Sequence, residues 1–327
     1  MRVSLPSLGL GAAAIGNLYR PMTDEDAADT VAAALEAGIA YIDTAPHYGF
    51  GLSEKRVGDV LRRLDPGQKI AVSTKVGRLL RPIAGGPSIR HGFADAEPFE
   101  PVFDYSYDAV MRSFEGSCAR LGRQHVDLLL AHDLGRVTHG DDHETHYRTF
   151  FEGGYRAMRE LRDGGAVKAI GLGVNEWQIC RQAMRDAEFD LFLLAGRYTL
   201  LEQGALVSFL PECAARGISI IIGGPYNSGI LAGGLHFNYE PAPASILETV
   251  RQLEAQCEQF GVPMAAAALQ FPLAHPQIVS VIPGMAGRHQ VEETIRLMNT
   301  AIPAGFWSAL REAGLLHRDA PTPKDRS

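Results

Sequence analysis

Eight short apolar runs, separated by segments with helical periodicity, constrain the fold of this chain more than any other feature of its sequence. Each run is continuously apolar rather than alternating, which is typical of parallel strands with both faces buried. The runs cover residues 8–13, 40–44, 70–75, 126–132, 167–174, 191–197, 218–223 and 278–284. Strands that alternate with helices in this number predict an α/β protein with a closed (β/α)8 TIM barrel.

A doubly wound open sheet is the alternative architecture for such a pattern. That fold usually opens with a Gly-x-Gly-x-x-Gly turn leading into a helix. Here Gly9 and Gly11 are followed by alanines, so the third glycine is missing and no helix follows immediately. The opening segment therefore favours the barrel.

The segments between the runs carry the helical patterns. The clearest covers residues 24–37 and follows Thr23, in a sequence that resembles a capping box. The others cover residues 53–64, 107–121, 155–163, 177–186, 204–216, 245–260, 290–300 and, at the end of the chain, 302–316. No internal repeat or linker interrupts the pattern, so the sequence predicts one domain over residues 1–327.

Three insertions, at residues 78–104, 135–151 and 227–244, follow strand ends on the proposed catalytic face. Loops on that face of a barrel carry function, so we expect the insertions to shape the substrate pocket and to act as lids.

Charge and cysteine content restrict the partners of the chain. A net charge of -7 argues against a nucleic-acid or anionic-membrane surface and favours small-molecule partners. Four widely spaced cysteines without a CxxC pair fit neither a disulfide framework nor a zinc site, so the sequence indicates a reducing compartment and predicts no metal. No apolar run reaches about 18 residues and no apolar leader opens the chain, so we expect a cytoplasmic location. The pattern does not define an oligomeric state.

Four polar residues, Asp43, Tyr48, Lys75 and His132, lie at or just after the ends of three predicted strands. Each has an ordinary structural explanation when taken alone, but independent accidents would not be expected to select one edge of a sheet. A tyrosine hydroxyl, with a pKa of about 10, is a poor acid at neutral pH and needs a cation beside it to work as a catalyst. Lys75 would favour the tyrosinate and let Tyr48 work nearer neutral pH, and Asp43 would hold the ammonium in place.

These four residues resemble the active site of the aldo-keto reductase family, and the resemblance extends over nearly the whole chain. It includes the segment Tyr41-Ile-Asp-Thr-Ala-Pro-His-Tyr-Gly-Phe-Gly-Leu-Ser-Glu-Lys-Arg-Val-Gly-Asp-Val-Leu61. Within the family, residues 104–113, 132–133 and 195–203 are similar to the branch that holds D-threo-aldose 1-dehydrogenase (L-fucose dehydrogenase), L-galactose dehydrogenase and a pyridoxal 4-dehydrogenase.

The resemblance implies an NAD(P)-dependent oxidoreductase that transfers hydride, with Tyr48 as the general acid or base and His132 orienting the substrate oxygen. The expected reaction oxidises the anomeric hydroxyl of an aldose such as L-fucose to a lactone. Pyridoxal 4-dehydrogenase activity and general aldehyde reduction are the alternatives. The expected partner is a small-molecule sugar or aldehyde.

The resemblance also implies contacts with the cofactor. Asn175 matches the family asparagine that binds the nicotinamide carboxamide, but Val174 stands where a serine is usual. The glutamine expected on the next strand is missing around Ala195 and Gly196. Tyr226 matches the aromatic residue that stacks on the nicotinamide.

The segment after the eighth run opens a helix whose amide groups suit a phosphate, and Gly284 lies at its start. Family members that prefer NADP carry a lysine and a serine just after the proline and an arginine further on. This chain has Gly284, Met285 and Gln290 there, which favours NAD, although Arg288 can reach a 2'-phosphate. Glu292 or Glu293 either accepts a hydrogen bond from the adenine or ribose or lies in a solvated first helical turn.

Two further classes of function stay open. Residues 139–146 are rich in histidine and acid, which suits a metal-dependent barrel hydrolase, but a solvated loop is the more ordinary explanation. A non-catalytic nucleotide-sensing barrel is the other alternative, and the intact set of four polar residues argues against it.

Overall fold

A parallel eight-stranded barrel forms the centre of the molecule, as a computed structural model of residues 3–324 shows. Residues 1, 2 and 325–327, which the one-domain prediction includes, lie outside the described residues. The strands are β1 (Leu10–Gly11), β2 (Tyr41–Asp43), β3 (Ala71–Val76), β4 (Val126–His132), β5 (Val167–Val174), β6 (Leu191–Ala195), β7 (Ser219–Gly223) and β8 (Ile278–Ile282). Amides of Gly9 and Gly11 each donate to a carbonyl of the last strand or its end, at 2.9 Å, and close the barrel. The predicted (β/α)8 fold is confirmed.

Helices surround the barrel in the predicted order, with one further helix, Met264–Gln270, that the sequence pattern did not predict. They are α1 (Asp24–Glu36), α2 (Leu52–Leu64), α3 (Tyr107–Leu121), α4 (Tyr155–Asp163), α5 (Trp177–Asp186), α6 (Phe209–Arg216), α7 (Ala244–Phe260), α8 (Met264–Gln270), α9 (Arg288–Met298) and α10 (Ala304–Glu312). The Thr23 hydroxyl accepts from the Asp26 amide at 3.0 Å, which confirms the predicted N-terminal cap of α1.

Helix α6 begins five residues later than predicted. The pattern indicated a start at residue 204, but α6 begins at Phe209 and residues 204–208 form turns. Pro211 explains the difference, because proline fits the first turn of a helix, where its missing N–H needs no partner. A helix from residue 204 would have placed it in the interior.

The three insertions fold into small ordered elements. The first holds two hairpins, Arg78–Pro82 with Phe99–Phe103 and Ile89–Arg90 with Phe93–Ala94. The second holds short helices and the third a hairpin, His236–Phe237 with Glu240–Pro241. His91 and Phe93 of the first, Thr138 of the second and Tyr239 of the third line a cavity at the barrel mouth. The insertions therefore shape the pocket as predicted, and lid movement stays a prediction.

Apolar side chains fill the barrel, so a ligand has to bind at its mouth. The inner cluster includes Tyr41, Leu128, Leu130, Leu191 and Leu193, and a larger cluster packs the helices against the outer face of the strands. Within residues 3–324, no helix combines the length and the apolar character needed to cross a membrane.

Candidate active site

Asp43, Lys75 and Tyr48 form one hydrogen-bonded chain at the mouth of the barrel. The Lys75 Nζ donates to Asp43 Oδ2 at 2.7 Å and to the Tyr48 hydroxyl at 3.0 Å. It also donates to the carbonyl of Thr44 at 2.9 Å, so its three hydrogens are used. The ammonium is thereby fixed between a carboxylate and a phenol.

The strand register explains why these side chains meet. Asp43 is the last residue of β2 and pairs with Ser73, two residues before Lys75 on β3. Side chains two residues apart on a strand point to the same face. The Ser73 hydroxyl donates to Asp43 Oδ1 at 2.6 Å, so both oxygens of this buried carboxylate are bound.

Tyr48 lies in the tight turn between β2 and α2, and the packing of this turn requires glycine. Gly49 and Gly51 have left-handed backbones, with φ of 65° and 101°. Gly16 packs against the Tyr48 carbonyl so closely that a Cβ on it would lie 2.6 Å from the Tyr48 carbonyl carbon. The turn thus fixes the hydroxyl above Lys75.

Burial raises the pKa of Tyr48 above its ordinary value, and Lys75 opposes this shift by its charge and hydrogen bond without reversing it. The prediction that the pKa of Tyr48 lies nearer to neutral pH is therefore wrong for the net shift. Lys75 does lower this pKa, as predicted, but burial raises it by more. Burial also acts to lower the pKa of Lys75, but Asp43 and Tyr48 outweigh it and raise that pKa. At pH 7 the pair is an ammonium beside a neutral phenol.

His132, the last residue of β4, lies beside this chain of groups. Its ring centroid is 6.1 Å from that of Tyr48, and the Tyr105 hydroxyl donates to its carbonyl at 2.6 Å. Burial, together with the charges of Arg78 and Lys75, holds the pKa of His132 well below its ordinary value. The imidazole is therefore neutral at pH 7 and is suited to hydrogen bonding with a substrate oxygen.

The site also contains two charged residues, Arg78 and Asp133, to which the sequence pattern assigns no role. The guanidinium of Arg78 donates to Asp133 and lies 3.1 Å from the ring nitrogen Nε2 of His47. Both lie just beyond barrel strands, Asp133 directly after β4 and Arg78 one residue further from the end of β3, after Gly77. Their position at strand ends was the signal that could have identified them.

Two adjoining cavities open around Tyr48, with volumes of about 430 and 440 Å³. Both are lined by Tyr19, Tyr48, Leu193 and Tyr239, among other shared residues. The first extends towards His47, Arg78 and His132, and the second extends along glycines of the β6, β7 and β8 ends as far as Gln290. This arrangement suits two ligands that meet at the tyrosine.

Three of the five predicted cofactor residues line these cavities. Asn175 lines the first, and Tyr226 and Gly284 line the second. Arg288 and Glu292 do not line either one. Instead, the guanidinium of Arg288 is paired with Asp29 and Glu36 of α1, at 2.7 Å each.

The histidine-rich insertion has an ordinary structural role. The His139 and His146 rings pack at a tilt of 34° with centroids 4.1 Å apart, and His139 Nε2 lies 3.0 Å from the Tyr105 hydroxyl. Burial and His146 lower the pKa of His139 to about 4. In the described part of the chain, no group of three or more histidines, cysteines and acids is placed to hold a metal ion.

Comparison with known proteins places the chain in one family. The profile of the Aldo/keto reductase family matches residues 7–314. The chain is 43% identical to pyridoxal 4-dehydrogenase of Microbacterium luteolum, across 96% of this chain and 95% of the relative. It is 37% identical to D-threo-aldose 1-dehydrogenase of a Pseudomonas species, across 98% and 96%.

A solved structure supports the fold. The glycerol dehydrogenase of Gluconobacter oxydans superposes with a TM-score of 0.73 at 22% identity, covering 100% of this chain and 96% of that one. The resemblance to the aldose and pyridoxal dehydrogenase branch is confirmed. This chain belongs to the aldo/keto reductase family of oxidoreductases.

Proposed function

We propose that this protein oxidises the hydroxyl of a cyclic hemiacetal, the anomeric hydroxyl of an aldose such as L-fucose, to a lactone with NAD as the oxidant. The observation that carries the proposal is the hydrogen-bonded chain from Asp43 through Lys75 to Tyr48, which opens into both cavities. A nicotinamide cofactor, when bound, supplies the acceptor for the hydride that leaves the substrate carbon.

The four residues at the strand ends divide the proton chemistry between them. Tyr48 takes the hydroxyl proton of the substrate, and the ammonium of Lys75 stabilises the tyrosinate that precedes this transfer. Asp43 keeps the ammonium in place, and the neutral His132 orients the reacting oxygen. In the direction of reduction, the neutral phenol donates the same proton.

A nicotinamide cofactor fits the second cavity together with the adjoining wall of the first, which Asn175 lines. Asn175 Oδ1 and the Tyr226 hydroxyl are buried and have no hydrogen-bond partner among residues 3–324. Buried polar atoms of this kind are normally paired, so they are available to a ligand. Glycines along the cavity wall, including Gly223, Gly224 and Gly284, let a long ligand lie close to the backbone. Asn175 would hold the carboxamide and Tyr226 would pack on the ring.

The side chains near the start of α9 support NAD rather than NADP as the cofactor. Met285 is buried, and both anions that pair with Arg288 belong to α1. A 2'-phosphate would have to displace these carboxylates before it could bind the guanidinium.

Releasing Arg288 is expected to improve the use of NADP. The variant Asp29→Asn/Glu36→Gln should raise kcat/KM for NADP on the order of fivefold, because exposed ion pairs are individually weak but both compete for one guanidinium. Initial rates with the two cofactors measure the change. Glu25→Gln, an exposed acid on the same helix, is the matched control. A gain that persists after Arg288→Ala is added would contradict the explanation.

Pyridoxal is the second candidate substrate. The first cavity has aromatic walls at His47, His91, Phe93 and Tyr239, which suit a flat ring. Pyridoxal can close into a hemiacetal between its aldehyde and the adjacent hydroxymethyl group, so it presents the same reacting group as an aldose. The 43% identical relative is named for this substrate.

The substrate panel that tests the proposal measures nicotinamide reduction with NAD and NADP in parallel. L-fucose, L-galactose, D-arabinose and pyridoxal are compared at equal concentration. We expect turnover of at least one sugar with NAD, and none with the methyl glycoside of L-fucose, whose anomeric oxygen carries no proton. Turnover of pyridoxal alone would select the second candidate, and silence on all four would contradict the proposal.

A further inference from the structure

Asp133 links Asn175 to Arg78 through a single buried carboxylate at the wall of the first cavity. Its Oδ1 accepts from Asn175 Nδ2 at 3.0 Å, and its Oδ2 accepts from the guanidinium of Arg78. Only 7% of its side chain is exposed. The carboxylate therefore contacts both Asn175, which we assign to the carboxamide, and Arg78, a cation of the same cavity.

The carboxylate determines which end of the Asn175 amide faces a ligand. A carboxylate only accepts hydrogen bonds, so the amide nitrogen must face Asp133 and the amide oxygen must point away. The opposite orientation would place an oxygen about 3 Å from a carboxylate oxygen, which is repulsive. The amide oxygen is consequently left buried, with no partner in residues 3–324.

We infer that Asp133 is a positioning residue that presents Asn175 as a hydrogen-bond acceptor to the carboxamide N–H group of the cofactor. This inference rests on the proposed function. Val174 stands in place of the usual serine, and Ala195 and Gly196 stand where a glutamine is expected. The inference explains how the carboxamide is oriented without those two side chains, because the Asp133 carboxylate fixes the Asn175 amide that binds it.

Arg78 and the backbone keep the carboxylate in place. A buried carboxylate needs a cation, and Arg78 supplies it while its guanidinium packs 4.7 Å from the Phe103 ring centroid. The backbone of Asp133 is left-handed, with φ of 51°, and its amide donates to the Gly173 carbonyl at 2.9 Å. Aspartate and asparagine tolerate this conformation better than other residues with a side chain.

The variant Asp133→Asn reverses the orientation without straining the backbone. The guanidinium of Arg78 makes the stronger, charge-assisted hydrogen bond and takes the new amide oxygen. The new amide nitrogen then faces Asn175, which has to turn its own oxygen inward and its nitrogen towards the cofactor. The site would lose its acceptor for the carboxamide N–H group.

The test compares binding of NAD with binding of its 3-acetylpyridine analogue, which has a methyl group in place of the carboxamide nitrogen. Calorimetric titration of the wild type is expected to give a Kd for NAD about tenfold below that of the analogue, the usual effect of one hydrogen bond to a buried acceptor. In Asp133→Asn the two constants should agree within about twofold.

Asp65→Asn is the matched control, because Asp65 is a buried carboxylate paired with Arg123 and lies outside both cavities. It should keep the tenfold preference of the wild type. If Asp133→Asn does not fold, Asp133→Ala/Arg78→Met removes carboxylate and cation together and should also lose the preference.

An unchanged preference in the Asp133 variants would overturn the inference. So would equal binding of NAD and the analogue by the wild type. If the wild type binds neither NAD nor NADP, the proposed function itself is overturned, which is a distinguishable result.

Discussion

The variant Tyr48→Phe is expected to lower kcat for substrate oxidation about 10³-fold, within the range found for loss of a positioned acid or base. Only the hydroxyl is removed, so the Kd for NAD should stay within about twofold of the wild-type value. Steady-state rates and calorimetric titration on the same preparation measure both quantities. The physical reason is that the Tyr48 hydroxyl, 3.0 Å from Lys75 Nζ, is the proton carrier we assign to the reaction.

Tyr198→Phe is the matched control for this variant. Tyr198 is fully buried, its hydroxyl has no hydrogen-bond partner in the described part of the chain, and it does not line either cavity. Its activity should equal that of the wild type. Catalysis retained in Tyr48→Phe would remove Tyr48 from the proposed role, and lost NAD binding would show that the effect is structural.

The variant Lys75→Met is expected to combine a loss of activity with a loss of stability. It leaves the Asp43 carboxylate buried without its cation, which typically costs about 3–5 kcal/mol in free energy of unfolding. Denaturant unfolding measures this cost. Adding Asp43→Asn should recover much of the stability without restoring turnover, so that the two effects are separated. Recovery of activity in the double variant would contradict the role of the lysine.

The pH dependence of Lys75→Met follows from the direction of the pKa shifts. Burial and Asp43 raise the pKa of Tyr48, and Lys75 is the group that lowers it. Oxidation requires the tyrosinate, so its kcat/KM should rise with pH in the wild type, and the rise should move to still higher pH in Lys75→Met. The raised pKa of Lys75 means that its contribution to stability is present at neutral pH and is lost only at strongly alkaline pH. An unshifted rate profile would contradict this coupling.

The barrel could be predicted from the sequence because its strands are buried on both faces and their apolar runs are continuous. The predicted bounds of β4 and β5 agree with the structure, and most others differ by one or two residues. The first strand is shorter than predicted, Leu10–Gly11 rather than 8–13, because residues 12 and 13 already turn towards the 3-10 helix Ala14–Gly16 and Leu8 makes only an isolated bridge to Val281. Such a boundary depends on tertiary contacts and not on the apolar pattern.

The central residues of the site could also be predicted, because a parallel barrel brings the carboxyl ends of its strands to one face. The pairing of Arg78 with Asp133, which are 55 residues apart, could not be predicted from the sequence, because it depends on how the first insertion packs. The same holds for Arg288, which pairs with Asp29 across 259 residues. The pKa of Tyr48 depends on its depth of burial, which residue spacing does not encode.

The most direct test of the central claim is to follow the hydrogen on the reacting carbon. L-fucose labelled with deuterium at C1 and pyridoxal labelled at its aldehyde carbon are incubated separately with the wild-type enzyme and NAD, and the reduced nicotinamide is analysed by mass spectrometry. We predict that the reduced cofactor carries one deuterium from at least one of these substrates and that the matching lactone accumulates. Reduced cofactor without deuterium, or no reduced cofactor from either substrate, would contradict hydride transfer from a hemiacetal carbon.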